Sequence, residues 1–173
     1  ALIDKHYDSH DFGLWHLFRD EQRRVMTQIL DKTIHDIENN LRRVYSDYYP
    51  LMLAMRTLDI PFPEILSTTV GFVLNKDMTT LFEEEEIDME KLQKVIQEIR
   101  RWSARIDTAT LGFLVGNKIN NLMIRLETAQ GVQSLLLLRE LEALFKGLED
   151  LHLNIDLWQA QNIYFSLING VFK

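Results

Sequence analysis

Apolar residues recur at steps of three and four along nearly the whole chain, and this spacing constrains the fold more than any other feature. The longest such series comprises Val25, Met26, Ile29, Leu30, Ile34, Ile37, Leu41, Val44 and Tyr48. This spacing places apolar side chains on one face of an α-helix, whereas no useful stretch alternates as a half-buried strand does. The sequence also holds only 7 glycines and 3 prolines, too few for the many turns of an all-β fold. We therefore predict an all-α protein.

Breaks in the first half of the chain predict several separate helices. A long helix should begin near Phe18 and break or kink at Pro50, because proline lacks the backbone N–H of a helix interior. A short helix then continues to about Leu58. The next helix is predicted over residues 64–74, and residues 75–77 are predicted to separate it from a short helix that follows.

Capping residues place the helices of the second half. Asp88 is predicted to cap one helix, Asp107 or Thr108 the next, and Asp156 the last, because their side chains accept backbone N–H groups at a helix start. Gly131 is predicted to end the helix that precedes it. The expected architecture is a compact bundle of about six to eight helices, mostly antiparallel neighbours joined by short loops.

Length and composition narrow the domain organisation and the class of protein. The 173 residues predict a single helical domain over residues 1–173, with an irregular N-terminal segment over residues 1–16. The chain lacks an initiator methionine, so we expect a piece of a longer multidomain protein. The formal net charge of -7 disfavours nucleic-acid binding, because an acidic surface repels phosphates.

The same composition bears on the compartment. Absence of cysteine excludes disulfides and thiolate chemistry, and is consistent with a cytoplasmic protein. Apolar runs such as residues 135–138 fall far short of the roughly 20 residues that span a bilayer. The N-terminus has no basic region leading into an apolar one, so neither a signal peptide nor a membrane partner is expected.

Three histidines near the N-terminus, His6, His10 and His16, are the candidate metal ligands of the sequence. Histidines four residues apart on a helix can share a metal. This segment contains a glycine and lacks the glutamate of a His-Glu-x-x-His protease, which favours a solvated terminal segment instead. We therefore predict no metal and no cofactor, with a metal-dependent hydrolase as the alternative.

Charged clusters offer two further interpretations. The arginine pairs at residues 23–24, 42–43 and 100–101 could hold a phosphate or carboxylate. Acidic residues at helical spacing, including Asp20, Glu21 and Glu98, favour solvated or intrahelical ion pairs. The glutamates of residues 83–86 lack the spacing of a calcium loop, which favours a solvated helix end.

The C-terminal helix carries the most informative pattern. Trp158, Gln161, Asn162 and Phe165 share one face, where an aromatic ring beside amides could stack on a sugar and bond its hydroxyls. After Ile163 the helix is apolar almost all round, which is typical of a central or interface helix. The alternative is a buried helix whose two amides satisfy backbone groups.

Four segments of the sequence resemble, in the same order, segments of a known helical domain. They are residues 10–24 (HDFGLWHLFRDEQRR), 72–77 (FVLNKD), 101–102 (RW) and 157–164 (LWQAQNIY). In this order they are similar to a helical domain of unknown function that follows the catalytic domain in bacterial and archaeal proteins of glycoside hydrolase family 57, which are amylase- or mannosidase-like. The family's catalytic domain is a distorted α/β barrel with two carboxylates and a His-Gln-Pro motif, and this sequence contains no such motif.

The resemblance implies a non-catalytic accessory domain that packs on or stabilises the catalytic domain of the same polypeptide. We expect no enzymatic activity of this chain alone, and transfer no functional residue from the family. The predicted contact surface comprises Trp158, Gln161, Asn162 and Arg101. The main alternative is a self-associating helical module, in which the apolar C-terminal helix faces a second copy in a homodimer.

Overall fold

The computed structural model describes the backbone of residues 18–171 and the side chains of residues 18–169. The predicted irregular segment and the candidate ligands His6, His10 and His16 lie outside these residues. The helices are α1 (Arg19–Thr57), α2 (Glu64–Glu83), α3 (Met89–Trp102), α4 (Thr108–Thr128), α5 (Val132–Leu148) and α6 (Trp158–Val171), and a short 3₁₀ turn (Glu149–Leu151) follows α5. Residues 18–171 contain no strand, which confirms the all-α prediction of six to eight helices.

Contacts between residues divide the chain into two units, residues 1–48 and 49–173. In the first unit the described residues belong almost entirely to α1. The side chain of Val25 is buried there, whereas Met26, Leu30, Ile34 and Ile37 are exposed. The prediction of a single domain stays a prediction, because contacts alone do not say whether each unit folds by itself.

The second unit is a helical bundle centred on α4. Helix α2 packs on α3 and α4, α4 also packs on α5 and α6, and α3 packs on α5. Short connections of three to five residues join α2, α3, α4 and α5. The bundle core is built from apolar residues that share one face of each helix; its fully buried members are Met52, Val70, Met78, Leu92, Leu111, Val115, Ile119, Leu122 and Leu144.

The prediction that the first helix ends at Pro50 and a short helix restarts there is wrong, whereas the alternative of a kink at Pro50 stays a prediction. Helix α1 runs through Pro50 to Thr57 without ending. A proline inside a helix removes one hydrogen bond and costs about 3 kcal/mol. Burial of Met52, which is fully inaccessible just after the proline, offsets part of this cost and keeps the following turn helical.

The predicted break at residues 75–77 is also wrong, because Asn75 has a role inside α2. Its Nδ2 donates to the carbonyl oxygens of Gly71 (2.7 Å) and Arg105 (2.8 Å). Its Oδ1 accepts the backbone N–H of Asp107 at 2.7 Å. The amide therefore ties α2 to the connection between α3 and α4, and these tertiary hydrogen bonds hold Asn75 within the helix.

Three predicted caps are confirmed. Asp88, Asp107 and Asp156 each accept backbone N–H groups at the start of α3, α4 and α6 respectively. The prediction for Gly131 is wrong: α4 ends earlier, at Thr128, and Gly131 stands at the start of α5 with a φ of 59°. A glycine takes this positive φ without the clash that a Cβ would meet.

Two glycines let the segment before α6 lie directly on α4. A Cβ at Gly112 would meet the carbonyl oxygen of Asn154 closer than real Cβ atoms come. A Cβ at Gly116 would lie 3.3 Å from the carbonyl oxygen of Asp156, a tight contact. The absence of side chains at these positions thus sets the distance between α4 and the chain that leads into α6.

Candidate functional site

Trp102, the last residue of α3, lies at the centre of an aromatic cluster. Its ring is T-shaped to that of Tyr49, with centroids 5.6 Å apart and planes at 84°. The ring of Phe62 lies 5.4 Å away and is tilted by 41°. Phe62 reaches this position from the proline-flanked connection between α1 and α2, where Pro61 and Pro63 restrict the backbone to extended conformations.

Glu98 holds this cluster together from the preceding turn of α3. Its carboxylate accepts the indole N–H of Trp102 at 2.8 Å and the hydroxyl of Tyr49 at 3.0 Å, and it pairs with the guanidinium of Arg101. Arg101 also donates to the Tyr49 hydroxyl. Glu98 is therefore a positioning residue that fixes the orientation of the indole ring.

The environment of Tyr49 keeps its hydroxyl protonated. Burial raises the pKa of Tyr49 above its ordinary value, and the hydrogen bond to Glu98 and the charge of Glu98 raise it further. The guanidinium of Arg101 lowers this pKa and opposes the rise only in part. The phenol thus remains a hydrogen-bond donor to Glu98 well above neutral pH.

A cavity of about 730 Å³ opens beside Trp102, between the first half of α2 and the end of α3. We call it the Trp102 cavity. Aromatic, hydroxyl, amide and charged side chains line it: Phe62, Glu64, Ser67, Thr68, Phe72, Asn75, Trp102, Ser103 and Arg105, with Gly71 and Ala104. Its volume falls within the range of about 300–1,000 Å³ that is usual for small-molecule sites.

Ser103 lines the Trp102 cavity with an unusual backbone conformation. It follows the last turn of α3 with a φ of 48° and a ψ of 41°, the left-handed region that glycine favours at this place. Its N–H bonds the carbonyl oxygen of Arg100, and the N–H of Ala104 bonds that of Ile99 at 3.0 Å. These hydrogen bonds close the end of α3 and hold Ser103 in place.

The structure divides the predicted contact surface between two places. Trp158 (71% exposed), Gln161 and Asn162 are exposed together on α6, which contradicts the alternative of a buried helix with satisfied amides. Arg101 belongs instead to the Glu98 cluster on α3. The main contacts of α3 are with α2 and α5, whereas α6 packs on α4, so Arg101 is placed with other partners.

The arginines of two predicted pairs, at residues 23–24 and 100–101, form ion pairs as predicted, whereas Arg43 donates a hydrogen bond to Asn40. Arg24 bonds Glu21 at 2.7 Å, Arg23 lies 3.9 Å from Asp20, and Arg101 pairs with Glu98, all one helical turn apart. Arg100 pairs instead with Asp150 after α5. Such exposed pairs contribute at most about 1 kcal/mol each.

The acidic run ends α2 and is exposed, as predicted for a solvated helix end. The carbonyl oxygens of Glu84 and Glu85 accept hydrogen bonds from the buried ammonium of Lys118 on α4. This run therefore contributes backbone oxygens to a tertiary contact. Across residues 18–171, no three His, Asp or Glu side chains are grouped so that they could hold a metal ion.

Comparison with models of protein families, with curated proteins and with solved structures finds no match to this chain. Among the described helices, none has both the length and the apolar composition needed to cross a bilayer. The family resemblance of the four segments therefore remains a prediction from the sequence.

Sequence reasoning missed most of the Trp102 cavity. In the sequence, Trp102 belongs to the segment at residues 101–102 that resembles the family, and Phe62 belongs to none of the four segments. The proximity of Phe62 to Trp102 depends on how α2 and α3 pack, which no spacing along the chain encodes. The one local signal was Glu98, which precedes Trp102 by one helical turn and can therefore reach its indole N–H.

Proposed function

We propose that this chain is a non-catalytic helical accessory domain of a glycoside hydrolase family 57-like protein, packing on the catalytic domain of the same polypeptide. The observation that carries this proposal is an apolar stripe on α1, formed by Met26, Leu30, Ile34 and Ile37. These four side chains are between 43% and 57% exposed. The four segments that resemble the family supply the identity of the partner.

The stripe has the form of a docking surface. Its members follow one another at steps of four, four and three, so they lie on one face of α1. Most helices in proteins are stabilised by packing of such a face rather than by intrinsic propensity. A contiguous exposed apolar surface commonly marks an interaction site. A catalytic domain packed on the stripe would remove these side chains from water.

The absence of catalytic activity is part of the proposal. The sequence contains no His-Gln-Pro motif, and Glu98 is engaged in fixing the side chains of Trp102 and Tyr49. We also propose a role in carbohydrate metabolism, which follows from the resemblance. A cytoplasmic location is proposed as well, with which the absence of cysteine is consistent. Trp158, Gln161 and Asn162 on α6 are the second contact surface that we propose.

A binding measurement between the two parts of the parent protein tests this proposal. The catalytic domain and this chain are produced separately and mixed in an isothermal titration. We expect a saturable 1:1 complex. The double variant Leu30→Glu/Ile34→Glu should abolish it, because two carboxylates would have to be buried at the interface.

The control for this experiment is Gln28→Glu/Asn39→Glu, which adds the same charge on the opposite face of α1. This variant should bind as the unmodified chain does. If the two parts do not associate, or if the stripe variant and the control bind equally well, the proposed docking on α1 is wrong.

A second candidate function is self-association through α6. Trp158, Tyr164 and Phe165 are large, apolar and more than half exposed on this helix, and the last two rings contact each other with centroids 6.0 Å apart. Light scattering distinguishes this candidate. A homodimer predicts a doubled mass that Phe165→Glu returns to the monomer value, whereas a monomer across the micromolar range contradicts it.

A further inference from the structure

We infer that the Trp102 cavity is a binding site for a neutral saccharide. This inference goes beyond the proposed function, because an accessory domain can dock on a partner with nothing bound in this cavity. Three features of the lining carry it: the aromatic walls, the free hydrogen-bonding groups with balanced charge, and the conformation of Ser103.

The apolar part of the lining consists of aromatic rings. Phe62, Phe72 and Trp102 come from the α1–α2 connection, α2 and α3 and meet at the same cavity. Phe72 remains 39% exposed although its neighbours Gly71 and Val73 are buried. The carboxylate of Glu98 accepts a hydrogen bond from the indole N–H of Trp102 and thereby fixes the orientation of the ring. Rigid aromatic surfaces of this kind suit the C–H faces of a sugar ring.

The polar part of the lining matches a ligand that carries many hydroxyls. Within residues 18–169, the structure gives no partner to the side chains of Glu64, Thr68, Ser103 and Arg105, which all line the cavity. Together they supply acceptors, donors and hydroxyls that can do both. A carboxylate and a guanidinium in one site can each bind a pair of neighbouring hydroxyl groups.

The charges of this lining decide between classes of ligand. Glu64 is the only carboxylate and Arg105 the only cation among the described lining residues, so their formal charges cancel. A phosphate site gathers cations, and a divalent cation site gathers carboxylates. The lining does neither, and a neutral polyhydroxylated molecule is the class that it fits.

The conformation of Ser103 is the third feature. A residue with a Cβ at a left-handed helix end is less stable than glycine by about 1 kcal/mol. Glycine would satisfy the same backbone hydrogen bonds at the end of α3, but it would remove a hydroxyl from the cavity. The retained serine is explained if its hydroxyl contacts a ligand there.

A titration followed by NMR tests the inference on the 173-residue chain. The probes are maltotetraose, cellotetraose and mannotetraose, with inorganic phosphate as the charged comparison. We expect the indole N–H signal of Trp102 to shift saturably with at least one tetrasaccharide and not with phosphate. If no tetrasaccharide gives a saturable shift up to about 10 mM, or phosphate alone does, the inference is wrong.

Variants separate the Trp102 cavity from other aromatic surfaces. Phe72→Ser and Arg105→Ala should each weaken binding about tenfold. The first variant loses one aromatic contact, and the second loses one charge-assisted hydrogen bond. Phe113→Ser is the matched control, because Phe113 is 68% exposed on α4 and does not line the cavity. Equal loss of binding in Phe72→Ser and Phe113→Ser contradicts the site.

Two further variants keep the test independent of folding. Thr68→Trp fills the cavity from an exposed position of α2 and should abolish binding without lowering the melting temperature appreciably. Ser103→Gly should raise the melting temperature and weaken binding together. Unchanged binding in Thr68→Trp overturns the inference whatever the docking experiment on α1 shows, so the two proposals fail separately.

Discussion

Two apolar stripes with the same helical spacing differ in burial in this molecule: one is buried and the other is exposed. On α3, Leu92, Ile96 and Ile99 follow one another at steps of four and three and are buried. On the part of α1 within residues 18–48, Leu30, Ile34 and Ile37 follow one another at the same two steps and are exposed. The spacing therefore predicts the helix and its apolar face equally well in both places, but it does not predict what covers that face.

The difference lies in the surfaces that other helices provide. Helix α3 packs on α2, which precedes it directly in the chain, and on α5, which lies some distance further along the sequence. A Cβ placed on Gly147 of α5 would lie 3.9 Å from the side chain of Leu92 and 4.0 Å from that of Ile96. Helices α3 and α5 therefore pack closely at this point. An apolar face that meets such a partner becomes part of a core, whereas the side chains of the α1 stripe are exposed within the described residues.

The largest expected effect compares Leu92→Ala with Leu30→Ala. Leu92 is completely inaccessible, so its truncation removes packed atoms and leaves a cavity, at a cost of about 2–5 kcal/mol. Leu30 is 57% exposed, and we expect its truncation to change the stability of this chain by less than about 0.5 kcal/mol. Urea unfolding of both variants measures the difference. Similar losses in the two variants would show that the α1 stripe is covered within this chain.

A second comparison concerns backbone contacts inside the bundle. Gly112→Ala should cost about 1–3 kcal/mol, because the new methyl would overlap the carbonyl oxygen of Asn154 and the backbone would have to move. Gly71→Ala is the control, since its Cβ would lie at an ordinary 3.6 Å from the carbonyl oxygen of Arg105. A helix-interior Gly→Ala change without a clash should gain about 0.5–1 kcal/mol. Opposite signs in thermal unfolding are expected, and equal signs would contradict the close contact at Gly112.

The fold was predictable from the sequence to the extent that its signals are local. Helical spacing, the capping aspartates and the scarcity of turn residues are read within a few neighbouring positions, and they gave the all-α class and the starts of α3 and α4. The breaks at Pro50 and Asn75 were wrongly predicted because their outcome depends on tertiary contacts. Burial of Met52 keeps α1 helical, and the bonds of Asn75 to Arg105 and Asp107 stabilise α2.

The candidate site was less predictable for the same reason. The Trp102 cavity combines residues from three segments, and its form depends on the angle at which α2 meets α3. The exposed positions of Trp158, Gln161 and Asn162 on α6 follow the predicted helical face. The placement of Arg101 apart from them depends on which helices become neighbours, and this information is spread over the whole chain.

The smallest expected effect tests how a helix of the bundle is started. The hydroxyl of Thr110 donates to Asp107 at 2.7 Å, and this bond, followed by the backbone N–H of Thr110, lowers the pKa of Asp107 below its ordinary value. A carboxylate whose pKa is lower in the folded state stabilises the fold above the ordinary Asp range, and this contribution is lost as the pH falls through the folded pKa. Stability should therefore decrease with acidification below about pH 4.

Asp107→Asn isolates this contribution, because asparagine caps a helix nearly as well as aspartate but does not titrate. We expect the variant to lose less stability than the unmodified chain between neutral pH and pH ~3, where the carboxylate becomes protonated. Urea unfolding at a series of pH values measures the difference in slope. This result also sharpens the comparison with α1. The start of α4 is fixed by the side chain of Asp107, which caps the helix, and by a tertiary contact in which the backbone N–H of Asp107 donates to Asn75 of α2. If the two pH profiles coincide, the pKa of Asp107 is the same in the folded and the unfolded chain. The carboxylate then contributes no pH-dependent stability, and the cap acts through its hydrogen-bond geometry alone.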